Sequence, residues 1–374
     1  MNSNSTDLTI STPGRICLFG EHQDYLGLPV IASAISLRIF IEGRYRKDSK
    51  VNIALPDINS SETFYLNGNL NYNAERDYFK SAVNVLLNKG FTFSRGLECK
   101  VYGQIPINAG TSSSSALIVS WINLLTRLSD QSIILTPEEI AELAYKSEVE
   151  EFHEPGGKMD HYSTALGNVI ELESYPSIKI SKIRKELGAF VLGNSGEPKD
   201  TKHILSSVKN KIINITESLK LSQKDFSLHR VELEEIERYW KSIPSNVGEK
   251  HLQHSQFEIL VGTIINRDIT KEALQLLKHD NFDKKYFGEL MYKHHTILRD
   301  VLKISTKKID LMIEAAMQAG AYGAKINGSG GGGCMFAYAP ENPEEVFEAV
   351  EKISGEAYLV YSSEGTKEEI LEEI

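Results

Sequence analysis

The sequence predicts a mixed α+β fold in two domains, on three observations. β-rich and helical segments alternate up to about residue 184. The stretch 177–186 is charged and irregular, and the pattern from 201 to 299 is mostly helical. Alternation then resumes to the end of a 374-residue chain, long enough for two cores. These features divide the chain into 1–184 and 185–374.

The elements follow in order. Strands at 9–12 and 16–19 are separated by Pro13-Gly14. A turn, Gly20-Glu21-His22-Gln23-Asp24-Tyr25-Leu26-Gly27, leaves the second strand, and a scaffold commonly places a site in such a loop. Strands at 30–36 and 38–44 precede a hairpin at 51–55 and 63–66. A helix is expected at 77–87 and a strand at 97–107. Next come Pro106-Ile107-Asn108-Ala109-Gly110-Thr111-Ser112-Ser113-Ser114-Ser115 and an apolar helix at 116–128. Thr136 caps a helix that opens at Pro137, carries Glu148, and stops near Glu154-Pro155-Gly156-Gly157. Asp160 begins a short helix, and 168–173 is a strand. The second half has a strand at 190–192, helices at 286–302 and 309–319, and a glycine-rich run, Gly328-Ser329-Gly330-Gly331-Gly332-Gly333. A strand at 335–338, a helix at 343–353, a strand at 357–361 and an acidic helix at 366–374 complete the chain.

Composition narrows the function. The chain is 41% hydrophobic and 25% charged, ordinary for a soluble globular protein. Its 41 basic and 51 acidic residues give a formal charge of −10, which disfavours nucleic acid as the main partner. No apolar run reaches the length of a membrane span, and residues 1–7 lack the pattern of a secretory signal. Cys17, Cys99 and Cys334 are widely spaced in apolar surroundings and read as buried free thiols. A cytoplasmic enzyme or binding protein, monomeric or homodimeric, fits these bounds.

The Ser-rich turn has the chemistry of a phosphate cradle. Small side chains let an anion approach the backbone, and the new helix offers unpaired N–H groups at its positive end. No Gly-Lys-Ser/Thr follows, so the turn is not a P-loop. Taken alone it reads equally well as a serine-rich helix cap. Gly328-x-Gly330-x-x-Gly333 matches the dinucleotide spacing, but a strand follows the glycines rather than a helix, which excludes that reading. Five glycines in six residues still require a close approach to this backbone.

The order and spacing of these three segments resemble the GHMP small-molecule kinases, the superfamily of galactokinase, homoserine kinase, mevalonate kinase and phosphomevalonate kinase. Pro13-Gly14-Arg15-Ile16-x-Leu18-Phe19-Gly20-Glu21-His22-x-Asp24-Tyr25 is similar to the galactokinase signature. The resemblance implies an N-terminal domain of the ribosomal-protein S5 type, a ferredoxin-like C-terminal domain, and a site between them. It implies an ATP- and Mg2+-dependent sugar kinase acting at the anomeric hydroxyl. Asp160 would be the catalytic aspartate and Arg15 would lie beside the transferred phosphoryl group. Glu21, His22, Asp24 and Gly157 would bind the sugar. Asn108, Ala109, Gly110, Thr111, Ser112, Ser113, Ser114, Ser115, Gly330 and Gly331 would hold the ATP phosphates. Glu148, in an Ala-Tyr-x-x-Glu segment like that of mevalonate kinases, would bind magnesium with Ser114, or with Ser113 or Ser115 in its place. An arginine beside Asp160 should lower its pKa and make it more an orienting group than a strong base.

Some positions depart from the galactokinase pattern. Asn108 stands where glycine is usual and Thr111 where leucine is common. The run Gly193-Asn194-Ser195-Gly196-Glu197 lacks the usual tyrosine and looks closer to mevalonate-type kinases. The sugar is thus left open among galactose, another hexose, a pentose, a uronic acid and a heptose. Phosphorylation of a non-sugar alcohol such as mevalonate, or a non-catalytic sensor with this fold, are the alternatives.

Overall fold

The computed structural model describes residues 7–198, 201–241 and 254–370. In chain order the elements are β1 (Leu8–Phe19), β2 (Val30–Tyr45), β3 (Lys50–Leu55), β4 (Ser60–Tyr65), α1 (Tyr78–Asn88), β5 (Leu97–Gly103), α2 (Ser113–Arg127), α3 (Pro137–Tyr145), α4 (Met159–Leu166), β6 (Val169–Glu173) and β7 (Lys179–Ile183). Then follow β8 (Phe190–Asn194), α5 (Thr201–Ser222), α6 (Ile236–Lys241), α7 (His254–Lys278), α8 (Lys284–Asp300), α9 (Lys307–Gln318), β9 (Gly323–Ile326), β10 (Cys334–Tyr338), α10 (Pro343–Ser354), β11 (Ala357–Val360) and β12 (Lys367–Glu369). No helix among the described residues is long and apolar enough to cross a membrane.

Two sheets organise the chain. The first has eight strands, ordered β12-β1-β2-β5-β3-β4, with β6 pairing β2 and β7 pairing β6. Helices α1–α4 bury their apolar faces against it around Trp121, whose ring meets Phe79 edge-on with centroids 5.5 Å apart. The second sheet, β11-β8-β10-β9, packs against α9 and α10. A third apolar cluster, with Phe19, Phe190, Phe287, Phe336 and Tyr338, joins the two. The three cysteines are free and buried, as expected.

Pro13-Gly14 does not end a strand. Residues on both sides pair with β2, and the register shifts between Pro13 and Arg15. The bulge matters for the site, because it turns the Arg15 N–H toward the Thr111 carbonyl, 3.1 Å away. The expected strands at 30–36 and 38–44 are likewise one strand, β2. Residues 367–369, expected to be helical, form β12 on the edge of β1. Glutamates favour helix locally, but the open edge of β1 offers backbone partners, and Arg127 pairs with Glu368 at 2.7 Å. Residues 371–374 of that expected helix lie outside the described residues. β7 and β9 were not anticipated, since their lysines mask the apolar alternation. Thr136 caps α3 in a capping box with Glu139. After Tyr145 the helix widens into a π-helical turn, Lys146–Glu150, which carries Glu148.

Candidate active site

One cleft gathers side chains from five separated segments. Its lining includes Arg15, Glu21, His22 and Asp24 from β1 and the turn after it, and Asn108, Gly110 and Ser112–Ser115 from the Ser-rich turn. Glu148, Gly157, Asp160, Gly328 and Ser329 also line it, with Arg76 and Tyr78 at the start of α1.

Arg15 and Asp160 form the central pair. Arg15 Nε donates to Asp160 Oδ1 at 2.9 Å and Nη2 to Oδ2 at 2.8 Å, a bidentate fork. Burial alone would raise the Asp160 pKa, but the charge and hydrogen bonds of Arg15 outweigh it and hold the carboxyl below its ordinary value. Asp160 is therefore ionised and a weak base. Arg15 is itself steadied by Nη1 donating to the Gly110 carbonyl.

Asp24 lies beside this pair. Its Oδ1 accepts the Tyr25 N–H at 2.8 Å. Burial, then the neighbouring Asp160 charge, push its pKa up to about 6. Gly157 faces it so closely that an added Cβ would stand 2.1 Å from Asp24 Oδ2, so only glycine leaves the carboxylate its place.

Two residues of the turn are held by the protein itself. The Glu21 carboxylate accepts from Lys325 and from the Gly328 N–H, and its side chain is 1% exposed. Both oxygens are engaged by the protein itself, so Glu21 acts as a strut, while each oxygen keeps a second lone pair and the residue lines the cleft. His22 adopts φ 60° and is pinned by Tyr25 OH at 3.0 Å and the Ser329 carbonyl at 2.9 Å. Lys325 also donates to the Cys17 carbonyl at 2.9 Å. Asn327 accepts the Cys17 N–H and donates to the Gly110 carbonyl, each at 2.9 Å. Lys325 and Asn327 thus tie β1, the turn and the Ser-rich segment together. Both stand just before the glycine run, but a sequence carries no sign that a lysine there finds a buried glutamate.

At the start of α2, Ser112 takes a left-handed conformation and its side chain makes no capping bond. The helix-cap reading of the serines is thereby set aside, and the first-turn N–H groups keep their capacity for an anion. Thr111 and Ala109 are buried behind the lining. The Ala109 carbonyl accepts the Cys334 N–H at 2.8 Å, and a Cβ on Gly333 would stand 2.6 Å from it. Gly330 packs on Ile304, whose carbonyl accepts the Gly331 N–H at 2.7 Å. The close approach demanded by the glycines is made by the chain's own backbone. Gly328 and Ser329, rather than Gly330 and Gly331, reach the cleft.

Glu148 accepts from His161 Nε2 at 2.7 Å. Burial would raise its pKa, but His161, with the Ser114 and Ser115 hydroxyls, brings it below the ordinary value. An ionised carboxylate beside serine hydroxyls at a helix N-terminus is a hard-oxygen set that fits magnesium. Reasoning from sequence overlooked His161, Arg76 and Tyr78 in the lining. His161 follows Asp160 directly, and that adjacency was the available signal.

Comparison with known proteins bears on this arrangement. Residues 77–168 match the family model for the GHMP kinases N terminal domain, and residues 272–356 that for GHMP kinases C terminal. Residues 2–45 match the galactokinase galactose-binding signature. The mevalonate kinase of Thermococcus sibiricus is 30% identical over 357 residues, 92% of each chain. The galactokinase of Pyrococcus furiosus is 28% identical over 340 residues, 88% of each chain. Among solved structures, Lactococcus lactis galactokinase complexed with galactose superposes with a TM-score of 0.83 at 23% identity, over 97% of this chain and 95% of that one. The Methanococcus jannaschii mevalonate kinase does so with a TM-score of 0.70 at 22% identity, over 96% and 100%. These structural likenesses concern the two-domain fold.

Proposed function

Because this chain belongs to the GHMP kinases, and is a kinase, we propose that it transfers the γ-phosphoryl group of ATP to the anomeric hydroxyl of a monosaccharide. The observation that carries the sugar reading is Asp24. It is a carboxylate beside the Arg15–Asp160 pair, held by the Tyr25 N–H, given room by Gly157 and, among the described residues, without an ion pair of its own. Such a group accepts two hydroxyl donors at once, which a vicinal diol supplies and a lone tertiary alcohol does not. Mevalonate remains the second reading, favoured by the identity of its kinases to this chain.

The residues then divide the work of phosphoryl transfer, which needs positioning and charge neutralisation above all. Asp160 accepts the hydrogen bond of the attacking anomeric hydroxyl and takes its proton as the O–P bond forms and the bond to ADP breaks. Arg15 keeps that carboxylate ionised and places positive charge beside the transferred group. The N–H groups at the start of α2, with Ser112–Ser115, hold phosphate oxygens. Glu148 and Ser114 would hold magnesium, which when bound neutralises charge on the phosphates.

A coupled ADP-release assay with ATP, magnesium and a panel of free sugars and mevalonate tests this reading. Turnover of a sugar, abolished when its anomeric position is methylated, is expected. Turnover of mevalonate alone would refute it.

A further inference from the structure

We infer that Lys209, on α5, reads a negative charge on the sugar's end farthest from the anomeric carbon, so that the substrate is an anionic sugar. The inference rests on the sugar-kinase reading above and names its substrate class.

Three cations around the cleft have carboxylate partners. Arg15 is paired with Asp160, Arg76 with Glu154, and Lys158 with Glu142. Lys209 differs. Its Nζ donates to the Pro155 carbonyl at 3.0 Å, and Pro155 lines the cleft. Its charge lies 5.4 Å from the centre of the Tyr25 ring. Among the described residues no carboxylate comes within ion-pair distance of it. A carbonyl takes one of an ammonium's three donors, which leaves two for a ligand. Lys209 is half-buried, and that burial lowers its pKa while the charge of Asp24 works the other way. A partly desolvated ammonium without a counter-ion gains from an anionic partner.

Its position beside the cleft assigns the end of the sugar. The Met159 N–H, next to Asp160, lies 3.5 Å from Asp24 Oδ2, Gly157 faces Asp24, and Lys209 sits on the Pro155 carbonyl. Along residues 155–160 the order is therefore Asp160, Asp24, Lys209. With the anomeric hydroxyl at Asp160 and ring hydroxyls at Asp24, Lys209 meets the terminal carbon. The lysine is held in this register by the helix that bears it. Val208, Ile212 and Ile215 anchor α5 in the core of the second domain, which presents Lys209 toward Tyr25 and Pro155. Two chemistries share the required charge, a carboxylate as in a uronic acid and a terminal phosphate.

The test uses the whole protein. Wild type and Lys209→Met are assayed with galactose, glucose and mannose, with the uronic acid and the 6-phosphate of each, and with mevalonate. The inference expects one anionic series to be used at least tenfold better, in kcat/KM, than its neutral parents. Lys209→Met should lower that value by about 10- to 100-fold, the worth of one charge-assisted hydrogen bond. Turnover of the neutral parent should change by less than about threefold, which also reports an intact fold. Which series responds separates carboxylate from phosphate. Preference for a neutral sugar, or an anionic preference that survives in Lys209→Met, overturns the inference and leaves the sugar-kinase reading standing. Turnover of mevalonate alone overturns both.

Discussion

Replacing Lys325 by methionine should destabilise the protein far more than a surface change would. The Lys325 side chain is 0% exposed and that of Glu21 1%, so the variant leaves a carboxylate buried without its counter-ion. Removing one partner of such a pair costs about 3–5 kcal/mol. For a chain of this size that lowers the melting temperature by roughly 4–6 °C. The loss should be partly recoverable. Adding Glu21→Gln removes the orphaned charge while keeping an acceptor for the Gly328 N–H, and the double variant should melt above Lys325→Met alone. Thermal unfolding of the four proteins in this cycle, followed by circular dichroism, is the assay. A single variant that melts with the wild type, or a double variant no more stable than the single, would refute the strut assigned to Glu21.

Four further outcomes are expected. Asp160→Asn should reduce kcat by at least about 100-fold, the typical worth of a positioned acid–base group, with ATP affinity nearly unchanged by calorimetry; near-normal turnover would remove Asp160 from the mechanism. Asp24, raised to about 6, favours its protonated form in the folded state. Its contribution to stability is therefore present at low pH and lost as pH rises through 6, so Asp24→Asn should raise the melting temperature relative to wild type more at pH 7.5 than at pH 4.5. Gly157→Ala, whose Cβ would displace the same carboxylate, should raise the sugar KM with ADP release still measurable at saturation; an unchanged KM would separate Asp24 from the sugar. Glu148→Gln should raise the magnesium concentration needed for half-maximal activity about tenfold or more, and an unaltered magnesium titration would exclude Glu148 as a ligand.

The sequence by itself determined the mixed α/β character and the places of the main helices, because the apolar periodicity of α1, α2, α8 and α10 and the cap at Thr136 are local signals. It also marked Arg15, Asp24, the serines of α2 and Asp160, through residue types and spacings that can be read along the chain. Tertiary structure alone decided that Pro13-Gly14 is a bulge inside one strand, that residues 367–369 complete a sheet edge, and that a π-helical turn carries Glu148. It also decided what holds Glu21. A glutamate in a polar turn reads as a ligand group until a lysine more than 300 residues away is found against it in the core. The physical reason is common to all four cases. Local propensities are worth a few tenths of a kcal/mol to about 1 kcal/mol per residue, whereas an open strand edge or a buried counter-ion is worth more, and which of them a residue meets is settled only when distant segments pack.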